Sequence, residues 1–128
     1  GTINAALKRD PLDPTGMQIS IAKDAKHAVT HFELIESFYN KKLNATFSLL
    51  DILIETGRTH QIRVHLRTID LPIAGDQKYG NRKINQQLKA EFDIDKQILQ
   101  AYKLEFELYG KKYSFELPPT KATERIKG

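Results

Sequence analysis

Three stretches of the chain alternate loosely between apolar and polar residues: MQISIA (17–22), AVTHFELIESF (28–38) and ATFSLLDILIET (45–56). Val29, Phe32, Leu34 and Phe38 in the second and Phe47, Leu49, Ile52 and Ile54 in the third stand among β-branched and aromatic neighbours, the pattern of half-buried strands. Short connections between them predict an antiparallel meander. DPLDPTG (10–16) punctuates the start as a surface turn. At Thr59 the period changes. A helix over Thr59–Ile69 puts Ile62, Leu66 and Ile69 on one face and His60, Arg63 and Arg67 on the other. Thr59 is its expected N-cap, and Asp70 before Leu71-Pro72 its stop. A second helix is expected over Ile84–Phe92. Residues 98–119, ILQAYKLEFELYGKKYSFELPP, predict a hairpin turning at Tyr109–Lys112 and ended by Pro118-Pro119. Together these elements predict an α+β fold: a mainly antiparallel mixed sheet with one or two short helices packed on it.

Composition narrows the class without naming a function. With 128 residues the chain forms one domain, large enough to bury about two-thirds of its unfolded surface. Hydrophobic residues at 40% and charged residues at 28% exclude disordered and fibrous classes. No run approaches the roughly 20 apolar residues of a membrane helix, so no membrane association is expected. The absence of cysteine removes disulfides and thiolate metal sites and fits a reducing compartment, here the cytoplasm. The net charge of +4 is mild, but its placement is not. Between Gly57 and Lys83 stand Arg58, Arg63, Arg67, Lys78, Arg82 and Lys83, against Asp70 and Asp76 alone. Such a concentration suits a polyanionic partner.

The densest chemistry lies in ETGRTHQIRVHL (55–66). A glycine turn at a strand exit, a helix start with free N–H groups and two arginine forks make a place for a carboxylate or phosphate. A solvated helix face is the competing reading, weakened by the crowding of Gly57, Arg58, Thr59, His60, Gln61 and Arg63 between apolar segments. No metal is expected: His60 and His65 are five apart with no carboxylate pair nearby, and His27 and His31 read as exposed strand histidines. Neither a nucleophile–base signature nor a phosphate loop is present.

TGRTHQIRVHL (56–66) followed by LPIAGDQKYG (71–80) resembles the signature of the RluA-type pseudouridine synthases. The match is close to residue for residue over Thr56–Leu66 and again at Pro72, Ile73, Gly75, Asp76, Tyr79 and Gly80. GTINAALKRDP (1–11), Lys26, Ala28 and Thr30, and LQAYKLEF (99–106) extend it more loosely along the chain. The resemblance implies a cofactor-free isomerase acting on uridine in ribosomal or transfer RNA. It makes Arg63 the partner of a catalytic aspartate and Gly57, Arg58, Thr59, His60, Gln61 and Ile62 the wall of the active cleft. Arg58, Arg67, Lys78, Tyr79 and Arg82 become RNA contacts.

The family's aspartate motif, H-R-L-D followed by T-S-G, is absent, as is its K-x-Y-x-A tyrosine. The nearest lookalike, Pro11-Leu12-Asp13-Pro14-Thr15-Gly16, lacks the arginine and reads as a turn. The chain, which starts without Met, is therefore expected to be the C-terminal portion of a catalytic domain, inactive by itself, with Arg63 a lone cation at a half-built site. An edge strand left uncovered is expected to favour self-association. The alternative is a non-catalytic RNA-binding module. Asp70-Leu71, Gln100 and Arg67 depart from the family's usual residues, which bears on substrate detail and not on class.

Overall fold

The computed structural model describes residues 1–101, 103–108, 111–116 and 120–127. Strands β1 (Thr2–Asn4), β2 (Leu7–Asp10), β3 (Asp13–Ile19), β4 (Val29–Asn40) and β5 (Ala45–Ile54) precede helices α1 (Gln61–Thr68) and α2 (Arg82–Phe92). Strands β6 (Lys103–Leu108) and β7 (Lys111–Glu116) and helix α3 (Lys121–Lys127) follow. The fold is α+β, as the sequence predicts.

The sheet is not the expected single mixed one. Every described pairing is antiparallel, in three separate sheets ordered β1-β4-β5, β2-β3 and β6-β7. The meander is half right: β4 and β5 form a long hairpin from Asn40↔Ala45 to Thr30↔Ile54, but β3 pairs back on β2. β1 and β2 are too short to show a period; β1 is held by the distant β4, and β2 by its hairpin neighbour β3 and a bridge from Leu7 to Lys26. β6 and β7 form the expected hairpin, closing at Leu108↔Lys111; its turn residues 109–110 and the prolines 118–119 lie outside the described residues.

Helix α1 is buried on two sides, and this places the site. Leu66 packs with Ile3 and Ile73, joined by Ile62, Ile69, Phe32, Leu50 and Ile52, against the three-stranded sheet. Val64 packs with Leu7, Ala28 and Tyr79 beneath the β2–β3 hairpin. The expected apolar face is thus real, and a second one lies beside it. A third cluster of Leu43, Leu88, Ile94 and Ile126 joins α2 and α3 to the far end of the β4–β5 hairpin, where Phe38 and Phe47 stack at 5.8 Å. Helix α2 starts from Asn81, whose side chain accepts the Ile84 N–H at 3.0 Å.

The start of α1 departs from expectation. Thr59 is not the N-cap; that position is His60, left-handed at φ 55° and with no side-chain cap bond. Nor does Gly57 provide a left-handed turn: Gly75 is the positive-φ glycine among the described residues, and a Cβ on Gly57 would meet nothing within 4 Å. Asp70 does stop the helix in the left-handed region, at φ 63°.

Candidate active site

Two networks fix the turn between β5 and α1. The first centres on Gln61, 3% exposed. Its Oε1 accepts from Thr56 Oγ1 (2.7 Å) and from the Arg58 N–H (3.1 Å); its Nε2 donates to Val29 O and Thr30 Oγ1, both at 2.9 Å. Thr30 continues to His65 Nδ1 (2.8 Å), and His65 Nε2 donates to Ala5 O (2.8 Å). That carbonyl can only accept, so the proton of His65 sits on Nε2 and Nδ1 is free to accept from Thr30. A buried amide with all its capacity used rigidifies the turn. Arg58 Nε is tied to His27 O at 2.8 Å.

The second network centres on Asp76, whose side chain is 0% exposed. Arg63 donates to it twice, Nε to Oδ2 and Nη2 to Oδ1, each at 2.8 Å. The backbone N–H groups of Lys78 (3.0 Å) and Tyr79 (3.1 Å) also donate to Oδ1. Burial alone raises the carboxyl's pKa, but the Arg63 fork and these N–H donors outweigh it and hold Asp76 below its ordinary range. The Asp76 hydrogen bonds in turn raise the pKa of Arg63, overcoming its own burial. The loop that delivers Asp76 allows little variation. Asp76 O accepts from Gly80 N (3.0 Å) and Asn85 Nδ2 (2.7 Å), and Asn85 Oδ1 accepts from Gly75 N (2.9 Å). A Cβ on Gly80 would lie 2.2 Å from Asp76 O, and one on Gly75, at φ 83°, 2.1 Å from Lys96 O.

Tyr79 joins the two arms of the site. Its ring lies under the Arg63 guanidinium, 4.9 Å from centroid to Cζ, and meets the His60 ring edge-on at 5.4 Å. The Met17 N–H donates to the Tyr79 hydroxyl (2.9 Å), which leaves the hydroxyl proton for His60 Nδ1 (2.7 Å). Burial, with Arg63 and Lys78 nearby, pushes the His60 imidazole below its ordinary pKa, so it is neutral at pH 7 with its proton on Nε2.

The structure therefore gathers His60, Arg63, Asp76 and Tyr79, and sets the other candidates apart. Arg63 is not the expected lone cation: the 75–80 loop folds over α1 and supplies Asp76. Ile62, expected on a cleft wall, is half-buried and packs against the Ile3, Leu66 and Ile73 cluster. Tyr79, expected to touch RNA, is 6% exposed and acts as a platform. Lys78 is engaged by Asp13 (2.6 Å) and Thr15 (2.8 Å), and this lysine, then Thr15, lowers the Asp13 pKa to about 2. Arg67 is exposed beside a groove of about 450 Å³ that it shares with Asp10, Asp13, Met17, Lys78 and Tyr79. Gly57, Thr59 and Arg82 are exposed, Arg82 as the first residue of α2. Asp76 was missed as a partner of Arg63 because thirteen residues separate them; its place in the PIAGDQKYG match was the available signal. Among the described residues no three His, Cys, Asp or Glu cluster as metal ligands, and no helix is long and apolar enough to cross a membrane.

The sequence pattern of the family described as RNA pseudouridylate synthase matches residues 1–68. The RNA pseudouridine synthase YlyB of Bacillus subtilis is 42% identical over 120 residues, 92% of this chain and 35% of its own length. The ribosomal large subunit pseudouridine synthase D of Xylella fastidiosa is 44% identical over 80 residues, covering 62% of this chain and 22% of that protein. The chain thus spans about a third or less of the length of these curated relatives. Among solved structures, human RNA pseudouridylate synthase domain containing 1 superposes with a TM-score of 0.73 at 23% identity, over 92% of this chain and 47% of the other. That likeness establishes the fold. By sequence pattern and relatives together, the chain belongs to the RNA pseudouridylate synthase family.

Proposed function

We propose that these residues form the arginine-bearing wall of a pseudouridine synthase active cleft, the C-terminal portion of a catalytic domain. The aspartate comes from polypeptide outside this sequence, and the 128 residues alone are inactive. The observation that carries this is the Arg63 guanidinium, held on one edge by Asp76 and on its face by Tyr79, with both Nη1 N–H groups unpartnered among the described residues. A fixed fork with a free edge suits a carboxylate that must stay ionised and oriented. In the reaction the C1′–N1 bond of uridine breaks, a C1′–C5 bond forms, the C5 proton is released and N1 gains one. No cofactor is needed.

The substrate is a uridine in RNA, in ribosomal or transfer RNA; the Xylella relative's name points to the large ribosomal subunit. Flipping the base out costs a few kcal/mol, offset by phosphate contacts that Arg67 and Arg82 are free to make. The compartment is the cytoplasm. The β5 edge, with Leu53 and Ile54 exposed, is the surface for self-association of the isolated chain. The test is release of C5 hydrogen from labelled RNA by the complete gene product. Release that disappears with Arg63→Ala supports the proposal, and full activity in that variant contradicts it.

A further inference from the structure

We infer that the groove beside helix α1 is a subsite for a guanine nucleotide next to the target uridine, with Arg67 on its phosphate and the Asp10 carboxylate on its base. This rests on the function proposed above. The groove holds about 450 Å³, within the roughly 300–1,000 Å³ of small-ligand sites. Arg67 lies one helical turn beyond Arg63, and Tyr79 lines the groove while its ring supports the Arg63 guanidinium. A strand with its uridine at Arg63 therefore brings a neighbouring nucleotide to Arg67.

The lining divides as a nucleotide does, into an apolar part and a charged part. Val64, Met17 and Ile19 supply the apolar side, with Ile19 left 37% exposed. Four charged groups stand around it, and two of them are engaged with each other: Lys78 donates to Asp13 at 2.6 Å, and to Thr15 at 2.8 Å. The other two are open. Arg67 is exposed and has no partner among the described residues. Asp10 is half-buried, and its Oδ1 accepts the Leu12 N–H at 2.8 Å, which leaves Oδ2 and a second lone pair on Oδ1. A register shift between Arg9 and Asp10 breaks the alternation of β2, and Asp10 joins the groove that Met17 and Ile19 line.

A carboxylate repels phosphate, so its place here selects what can enter. It accepts hydrogen bonds and cannot donate them. Guanine sets two different donors side by side, N1–H and N2–H, matching the two carboxylate oxygens; adenine and cytosine offer an amino group alone and uracil a single imide N–H. Unpaired RNA bases are read on this edge. Arg67 offsets the repulsion by holding the phosphate with its planar fork.

The experiment titrates the complete gene product, at several salt concentrations, with short adenosine strands carrying one central uridine whose two neighbours are A, C, G or U. The guanine strand is expected to bind about 10-fold tighter than the others. Asp10→Ala is expected to cut that preference below about twofold and to change the other strands by less than about twofold. Arg67→Ala is expected to weaken all of them alike and to lower the salt slope by about 1. No guanine preference in the wild type, a preference that survives Asp10→Ala, or an unchanged salt slope in Arg67→Ala overturns the inference. Should Asp10→Ala fail to fold, Asp10→Asn keeps an acceptor for the Leu12 N–H and turns the other oxygen into a donor, and it must lose the preference too. Release of C5 hydrogen from labelled cellular RNA is followed in parallel. A protein that prefers guanine yet releases no hydrogen overturns the proposed reaction and supports the subsite. An active protein indifferent to the neighbouring base overturns the subsite alone.

Discussion

Removing the Arg63 side chain tests whether the pair with Asp76 is as integral to the fold as its geometry implies. In Arg63→Ala the Asp76 carboxylate, 0% exposed, keeps only the Lys78 and Tyr79 N–H donors. Breaking a buried pair by removing one partner destabilises by about 3–5 kcal/mol. The arginine side chain is 18% exposed, so water reaches part of the site, and the surviving carboxylate keeps its two N–H bonds. The loss therefore falls at the low end, about 3 kcal/mol. With a urea slope near 2 kcal/mol per molar, the midpoint drops by about 1.5 M.

The pH dependence carries a sign. Asp76 has a depressed folded pKa, so its contribution is present above the unfolded value, about 3.9, and is lost as pH falls through the folded one. The variant lacks that contribution, so the gap between the two proteins is largest above about pH 5 and narrows toward pH 3. Urea melts at pH 7, 5 and 3 measure it. A gap below 0.5 kcal/mol at pH 7, or one that widens on acidification, shows that the Arg63–Asp76 pair does not support the fold.

Gln61→Met keeps the volume of the side chain but strips its four hydrogen bonds. Val29 O retains the Glu55 N–H, Thr30 retains His65, and Thr56 and the Arg58 N–H reach water, so the expected loss is about 2 kcal/mol by urea melt. Lys78→Ala releases Asp13, whose carboxyl titration, followed by carbon NMR, is expected to rise from about 2 toward the ordinary 3.8. Arg67→Ala and Arg82→Ala are each expected to weaken RNA binding of the complete gene product uniformly across sequences and to lower its salt slope by about 1, read by titration at several salt concentrations.

Local periodicity made β4, β5, α1 and most of α2 legible, because the burial of Val29 and Leu66 and the partial burial of Phe32, Phe47 and Ile52 follow nearest-neighbour spacing, although Leu34 and Ile54, expected on the buried faces, are 58% and 43% exposed. β1 and β2 were not, since three or four residues hold no period and their partners are Val29–His31 and Asp13–Ile19. The start of α1 misled for a different reason. Thr59 carries the expected capping side chain, yet tertiary contacts decide the backbone here: the Tyr79 bond to His60 and the Gln61 clasp hold His60 left-handed, a conformation worth about 1–2 kcal/mol of strain in a non-glycine residue. At the site, the signature identified Arg63 but not its resident partner. Asp76 is recruited through a loop whose course depends on Gly75, Gly80 and Asn85 together, and no local pattern encodes that closure.

In the proposed cleft, Arg63 presents a pre-aimed edge to an acid carried elsewhere in the polypeptide. An experimental structure of the complete gene product measures it directly. The expected result is an aspartate carboxylate about 2.8 Å from Arg63 Nη1, with the Asp76 pair intact on the opposite edge. A free edge facing bulk solvent, or an Arg63 that has left Asp76 to reach that carboxylate, contradicts the account.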